Sequence, residues 1–299
     1  MNKQIATLMG AIALNTIYAA SANAAITVID DGANSVTLQQ PARRIIAMAP
    51  HVTELLFAAG GGERIVAAVN YSDYPEAAKS IPRIGSVRQI DMERLVAFKP
   101  DLIVVWLHGG SERQIEQIRT LGIPMFHSEP RKLNDIANSL TRLGKLMGTE
   151  ATANAAAAQL LARLTALSAR YANRQPVRMF YQVWDKPLYT LNGGHIVSDA
   201  IRLCGGQNIF AHMKITAPIV NIEAVLQEDP EAIFSTGERS ADDGGVNVWK
   251  PFANMTAVRR NNLFRLDGNL LNRAGPRMIA GTEALCEKLE LARQRRKAP

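Results

Sequence analysis

The chain has 299 residues, with 34 Lys and Arg against 27 Asp and Glu and a formal charge of +7 at pH 7. The cations are scattered, so the continuous basic stripe of a nucleic-acid binder is excluded. Two cysteines as far apart as Cys204 and Cys286 exclude a zinc site built on Cys spacing.

Met1–Ala24 has one cation, Lys3, an apolar core from Ile5 to Ala13, and a small-residue ending. Ala22-Asn23-Ala24 fits an A-x-A cleavage site, so residues 1–24 read as an export signal with Ala25 as the first mature residue. The apolar run is short of the ~20 residues that a membrane-spanning helix needs. No Cys near the site offers a lipid anchor. A soluble periplasmic protein is expected, which also argues against a nucleic-acid partner.

Residues 44–48 then read as a buried strand and 53–60 as a helix stopped by Gly60. Strands follow at 64–69, 101–106 and 123–126, alternating with helices at 92–98, 112–121 and 133–147. Such alternation implies parallel strands covered by helices on both faces, and the continuous apolar strands suit a doubly buried sheet. Residues 150–171 lack Gly and Pro and are rich in Ala and Leu, which predicts one long helix. At 1.5 Å per residue it would span roughly 33 Å. Alternation resumes with strands at 177–183, 232–234 and 263–266 and helices at 197–204, 222–226 and 277–294. The expected architecture is α/β. Two Rossmann-like lobes (25–148 and 174–299) are joined by a backbone helix (149–173); one continuous sheet is the alternative. The C-terminal cluster Arg293-Gln294-Arg295-Arg296-Lys297 reads as a solvated tail.

Asp91-Met-Glu93 through Pro100-Asp-Leu-Ile103 is echoed by Asn221-Ile-Glu223 through Pro230-Glu-Ala-Ile233. Both read polar cap, Glu in the first turn, helix, Pro, strand. The helix dipole alone gives each Glu a purpose, worth about 0.3–1 kcal/mol. The sharper reading is one exposed carboxylate per lobe, presented to cationic residues of a partner.

Aromatics are 6% of the chain. Tyr71, Trp106 and Trp184 each fall at or after a strand end, where open α/β sheets take their ligands. Each either caps its own core or lines a common cleft. His51 follows a strand too. The five His form no helical pair, so a metal receptor built on His51, His127 and His195 would need the fold to assemble it. A phosphate loop, a dinucleotide fingerprint and a nucleophile elbow are all lacking. The enzyme reading rests on His51 with Asp73 or Asp267. Cys204 and Cys286 in an exported chain read as a bridged pair rather than two thiols.

Several segments resemble the periplasmic cobalamin-binding proteins of ABC importers (BtuF type), within the helical-backbone receptors for metal chelates, the class III periplasmic binding proteins. They are Ala49-Pro50-His51-Val52-Thr53-Glu54-Leu55, Tyr71-Ser72-Asp73-Tyr74-Pro75, Lys99-Pro100-Asp101-Leu102, Trp106, Cys204-Gly205-Gly206-Gln207-Asn208-Ile209-Phe210 and Arg273-Ala274-Gly275-Pro276-Arg277. The resemblance implies two lobes bridged by one helix. Cobalamin would be the ligand, contacted by Tyr71, Trp106 and Arg273 with Trp184 nearby. Glu93 and Glu223 would dock on arginines of the importer's membrane subunits, and Cys204–Cys286 would be bridged in the second lobe. A monomer without enzymatic activity or a cofactor of its own is expected.

Three positions depart from the family pattern. Residues 85–89 and 217–220 lack its aromatics, and Asn269 stands where the family has an acidic residue four before the cleft arginine. Another corrinoid, haem or a ferric siderophore stands behind cobalamin for that reason.

Overall fold

The computed structural model describes residues 25–236 and 244–296; the export-signal reading of 1–24 lies outside them. Among these residues two four-stranded sheets form, and they are separate. In the first, Ile65–Ala68, Ile45–Ala47, Leu102–Trp106 and Met125–Ser128 lie side by side, all parallel. In the second the order is Gly206–Asn208, Val177–Gln182, Ala232–Ser235 and Leu263–Arg265, again all parallel. Numbered within each lobe, both orders are 2-1-3-4. The short sequence echo therefore belongs to a repeat of whole topology, and the single-sheet alternative is set aside.

The helix Glu150–Tyr171 leaves the first lobe immediately after Gly148, a left-handed stop (φ 63°) that ends the helix Leu133–Met147. Those two helices pack closely because residue 144 is Gly; a Cβ there would collide with that of Ala153. Ala153, Ala157, Leu160, Leu164, Leu167 and Tyr171 are buried at helical spacing. This stripe is continuous with apolar residues of both lobes, from Ile45 and Leu140 on one side to Val177 and Leu289 on the other. Each lobe adds a smaller cluster on the other face of its sheet, around Ile103 in the first and Trp249 in the second.

Three features differ from the expectation. An antiparallel hairpin, Ile26–Ile29 with Ser35–Leu38, precedes the first sheet. Its turn is held by Asp30, whose carboxylate accepts from the amides of Gly32 and Asn34. The first long helix begins at Pro50, three residues early, because Pro is preorganised for the first helical position. The basic C-terminal cluster is not a free tail within the described residues. It is the end of the helix Met278–Arg295 and is clamped to the second lobe. Arg293 is buried and donates to the carbonyls of Cys204 and Gly205, just past the end of the helix Ile196–Leu203, and to that of Gln175, beyond the helix Glu150–Tyr171. Arg296 pairs with Glu231. Lys297 lies outside the described residues.

Cys204 and Cys286 are bridged, both fully buried. The bridge ties the end of Ile196–Leu203 to the middle of Met278–Arg295.

Candidate functional site

In a parallel α/β sheet the strand ends that lead into helices form one edge, and ligands bind there. The structure brings those edges of the two lobes against each other. Glu54 sits on the helix Pro50–Ala58, after the strand Ile45–Ala47. Asp73 and Tyr74 follow the strand Ile65–Ala68. Arg273 and Arg277 follow the helix Gly268–Leu271 of the second lobe. Arg277 meets Glu54 with two hydrogen bonds, Nη2 to Oε1 at 2.6 Å and Nε to Oε2 at 3.0 Å. Arg273 Nη1 donates to Glu54 Oε1 at 3.3 Å and to Asp73 Oδ1 at 2.8 Å. The Arg277 guanidinium also lies 3.9 Å from the centre of the Tyr74 ring. Two cations and two carboxylates thus neutralise one another across the seam. Burial pushes the Asp73 carboxyl up, but the hydrogen bond and charge of Arg273, with its own backbone amide and the Arg277 charge, together hold it below its ordinary range. Glu54 raises Arg277 further by accepting its hydrogen bonds.

Around this cluster stand most of the residues singled out above. Tyr71 is 77% exposed, with a left-handed backbone (φ 65°) that turns its ring outward beside Asp73. Trp106 ends the strand Leu102–Trp106 half-buried. Its ring centre is 5.6 Å from that of His51, edge to face, and a Cβ on Gly109 would strike the ring. Gly109 is therefore what lets the loop close over the indole. His51 is buried in the first turn of its helix, with Nε2 unpartnered. Burial, with the Arg273 charge adding to it, pushes its pKa down to about 4.

Trp184 and Asn269 do not join that cluster. Trp184 opens a two-residue strand pair, Trp184–Asp185 with Leu188–Tyr189, and its indole N–H donates to the Lys186 carbonyl at 3.0 Å. Tyr189 is bridged in turn to Ile219, which is 57% exposed. Asn269 is exposed beside Asp267, which caps its helix. Glu54, Arg277 and Ile219 were not singled out from the sequence. Glu54 did carry a signal: it is the one charge in an otherwise apolar helical run.

Glu93 and Glu223 are both exposed, each the second residue of its helix. Asp91 accepts from the Arg94 amide at 3.0 Å and Asn221 from the Ala224 amide at 2.8 Å. Each helix precedes the third strand of its lobe, so both starts lie toward the edge that carries the seam. A hollow adjoins each: about 330 Å³ beside Asp91, lined by Asn70, Ser86 and Gln89, and about 500 Å³ beside Asn221, lined by Met213, Ile219 and Val220.

The histidines do not assemble a metal site. Among the described residues no three His, Cys, Asp or Glu side chains could hold a metal ion together. His127 is buried against Asp30, Nδ1 to Oδ2 at 2.6 Å. His195 caps the helix Ile196–Leu203, its Nδ1 accepting from the Val197 amide at 3.2 Å. The enzymatic pairing fails as well, since Asp73 is committed to Arg273 and Asp267 to its helix cap.

The cap requires a neutral His195 ring, and burial pushes its pKa down to about 4, as it does for His51. The unfolded chain protonates both rings near pH 6.5. Stability present above that pH is therefore lost as the pH falls from about 6.5 toward 4, by about 2 kcal/mol per ring at pH 5. His195→Asn keeps a capping acceptor and removes one titration. Urea melts at pH 7 and pH 5 should show the variant unchanged at neutrality and less acid-sensitive. Equal acid sensitivity would show that His195 is not responsible.

The periplasmic binding protein family model matches residues 45–270, both sheets and the helix between them. The chain belongs to the periplasmic binding protein family. Its fold is the class III arrangement, with two α/β lobes and one backbone helix. The vitamin B12-binding protein of Vibrio cholerae is 37% identical over 254 residues, 85% of this chain and 91% of that one. The crystal structure of periplasmic vitamin B12 binding protein BtuF of the same organism matches with a TM-score of 0.78 at 36% identity, covering 85% of this chain and 98% of that chain. The periplasmic heme-binding protein RhuT from Roseiflexus sp. RS-1 shares the fold at a TM-score of 0.74 and 23% identity, over 84% and 99% of the two chains. As a member of this family the chain is a binding protein and not an enzyme. No helix among the described residues is long and apolar enough to cross a membrane.

Proposed function

We propose that this chain captures cobalamin or a related corrinoid between its lobes, in the periplasm, and delivers it as a monomer to an ABC importer. The observation that carries this reading is the seam. The outward Tyr71, the half-buried Trp106 and the Arg273 guanidinium gather where the strand ends of the two lobes meet. Aromatic faces suit the apolar flanks of a corrin ring, and a guanidinium suits the oxygen atoms of its amide side chains. Trp184, just past the strand Val177–Gln182, and Asn269, in the short helix after Leu263–Arg265, would extend the same lining. Within 217–220, which lacks the family aromatic, Ile219 offers an exposed apolar side chain. The likeness to named vitamin B12-binding proteins supports the ligand. Glu93 and Glu223 are the docking carboxylates, and the hollows beside them would accept loops of the membrane subunits. The working boundaries are 1–24 for the signal, 25–148 and 174–299 for the lobes, and 149–173 for the link.

Calorimetry of the purified protein with cyanocobalamin should give one site at micromolar affinity or tighter. Trp106→Ala should weaken it about tenfold, the scale of one lost aromatic contact. No heat and no retained pigment at micromolar ligand would reject cobalamin. Haem is the second reading, favoured by the missing aromatics at 85–89 and 217–220, and a haemin titration read by its absorption band would then decide for it.

A further inference from the structure

We propose that Glu54 positions Arg273, so that the cleft guanidinium is aimed by the lobe opposite to its own. This rests on the ligand site described above and adds to it a residue that the ligand does not touch.

Arg273 belongs to the second lobe, yet both side-chain acceptors that hold its guanidinium, Glu54 and Asp73, come from the first. The two acceptors are unlike. Glu54 is 2% exposed and its oxygens are filled, Oε1 by Arg273 and Arg277 together and Oε2 by Arg277. Gly275 packs over it so closely that a Cβ would sit 3.3 Å from Oε2. Asp73 is 52% exposed. An incoming amide oxygen can displace Asp73 but cannot reach the place of Glu54. Arg273 uses only Nη1 in these contacts, which leaves the Nε and Nη2 hydrogens of its rigid fork for ligand oxygens. Glu54 is thus the fixed anchor and Asp73 the exchangeable one. The same carboxylate that aims Arg273 also fastens lobe to lobe through Arg277. Ligand affinity and lobe attachment therefore depend on one buried charge.

The probe is cyanocobalamin, titrated into the full mature chain and its variants. Glu54→Gln should weaken binding roughly tenfold or more, the scale of one lost charge-assisted hydrogen bond. Glu54→Asp retains the charge and should recover most of the affinity. In an Arg273→Ala background, Glu54→Gln should cost clearly less than in the wild type, leaving only the part that passes through Arg277. A residue that merely stabilised the fold would cost the same in both backgrounds, and that result overturns the proposal, as does unchanged affinity in Glu54→Gln alone. Hydrogen exchange without ligand reads the same anchor separately. Protection at 71–75 and 273–277 should fall in Glu54→Gln and stay in Glu93→Gln; equal protection in both overturns the proposal. Wild-type protein that ignores cyanocobalamin would sink the ligand assignment, while the exchange comparison would still decide whether Glu54 anchors the seam.

Discussion

Glu93→Arg together with Glu223→Arg should reduce cobalamin uptake by at least a hundredfold in cells that depend on this receptor, and leave the affinity of the purified protein within twofold. The reason lies in how the two helix starts are built. Asp91 and Asn221 supply the caps, so the fold does not need either Glu carboxylate to close its helix. Both side chains stand in water at matched places in two lobes of the same strand order. Removing them costs each helix only the dipole term, about 0.3–1 kcal/mol, and Arg at a positive helix end adds a similar amount. Reversing two charges at a docking surface is far more severe, since it replaces attraction to a cationic partner with repulsion. Each single reversal should be intermediate. Transport assays with labelled cobalamin, beside calorimetry on the same variants, separate the cases. A parallel fall in affinity and uptake would mean that these residues serve the fold or the cleft.

Loss of the disulfide should produce the largest stability change. Cys204 and Cys286 are separated by 82 positions, and the loop between them contains three of the four strands of the second sheet. The chain-entropy description assigns about 4.5 kcal/mol to closing a loop of that length. For a protein of this size that corresponds to a fall in melting temperature of roughly 10 °C. Cys204→Ala with Cys286→Ala, or reduction of the native protein, should show that loss by calorimetry. Affinity measured well below the new transition should hold, because the bridge lies inside the second lobe and the proposed ligand contacts lie at the seam. A fall of less than about 3 °C would mean that packing of the C-terminal helix holds the lobe without the bridge.

Much of the architecture was legible because the physics behind it is local. The strands at Ile45–Ala47, Leu102–Trp106 and Ala232–Ser235 are short apolar runs, as sheets covered on both faces must be. The helix Glu150–Tyr171 was bounded by Gly148 ahead of it and by Pro176 beyond. The caps Asp91 and Asn221 followed from side chains that reach a backbone three residues away. The opening hairpin was also legible in principle. Asp30 to Asn34 is a turn-forming run between alternating apolar strands, but four-residue strands leave a faint pattern. The seam was not legible. Glu54 and its arginines are more than 200 residues apart, and a lone acid in an apolar helix does not say which cation answers it. The C-terminal arginines misled for a related reason. Charge density suggested solvent, whereas carbonyls just past the end of another helix receive Arg293 and the Glu231 carboxylate receives Arg296.

The apolar stripe of Glu150–Tyr171 runs unbroken from one lobe into the other. A receptor welded along its spine in this way has no slack to swing wide when empty and snap shut when full. Its outline would change little on loading, so an importer would have to sense the cargo itself or the tightness of the seam. Unloading would then fall to the membrane machinery, which, on the docking proposed for Glu93 and Glu223, would grip each half at its own carboxylate and prise until the passenger drops.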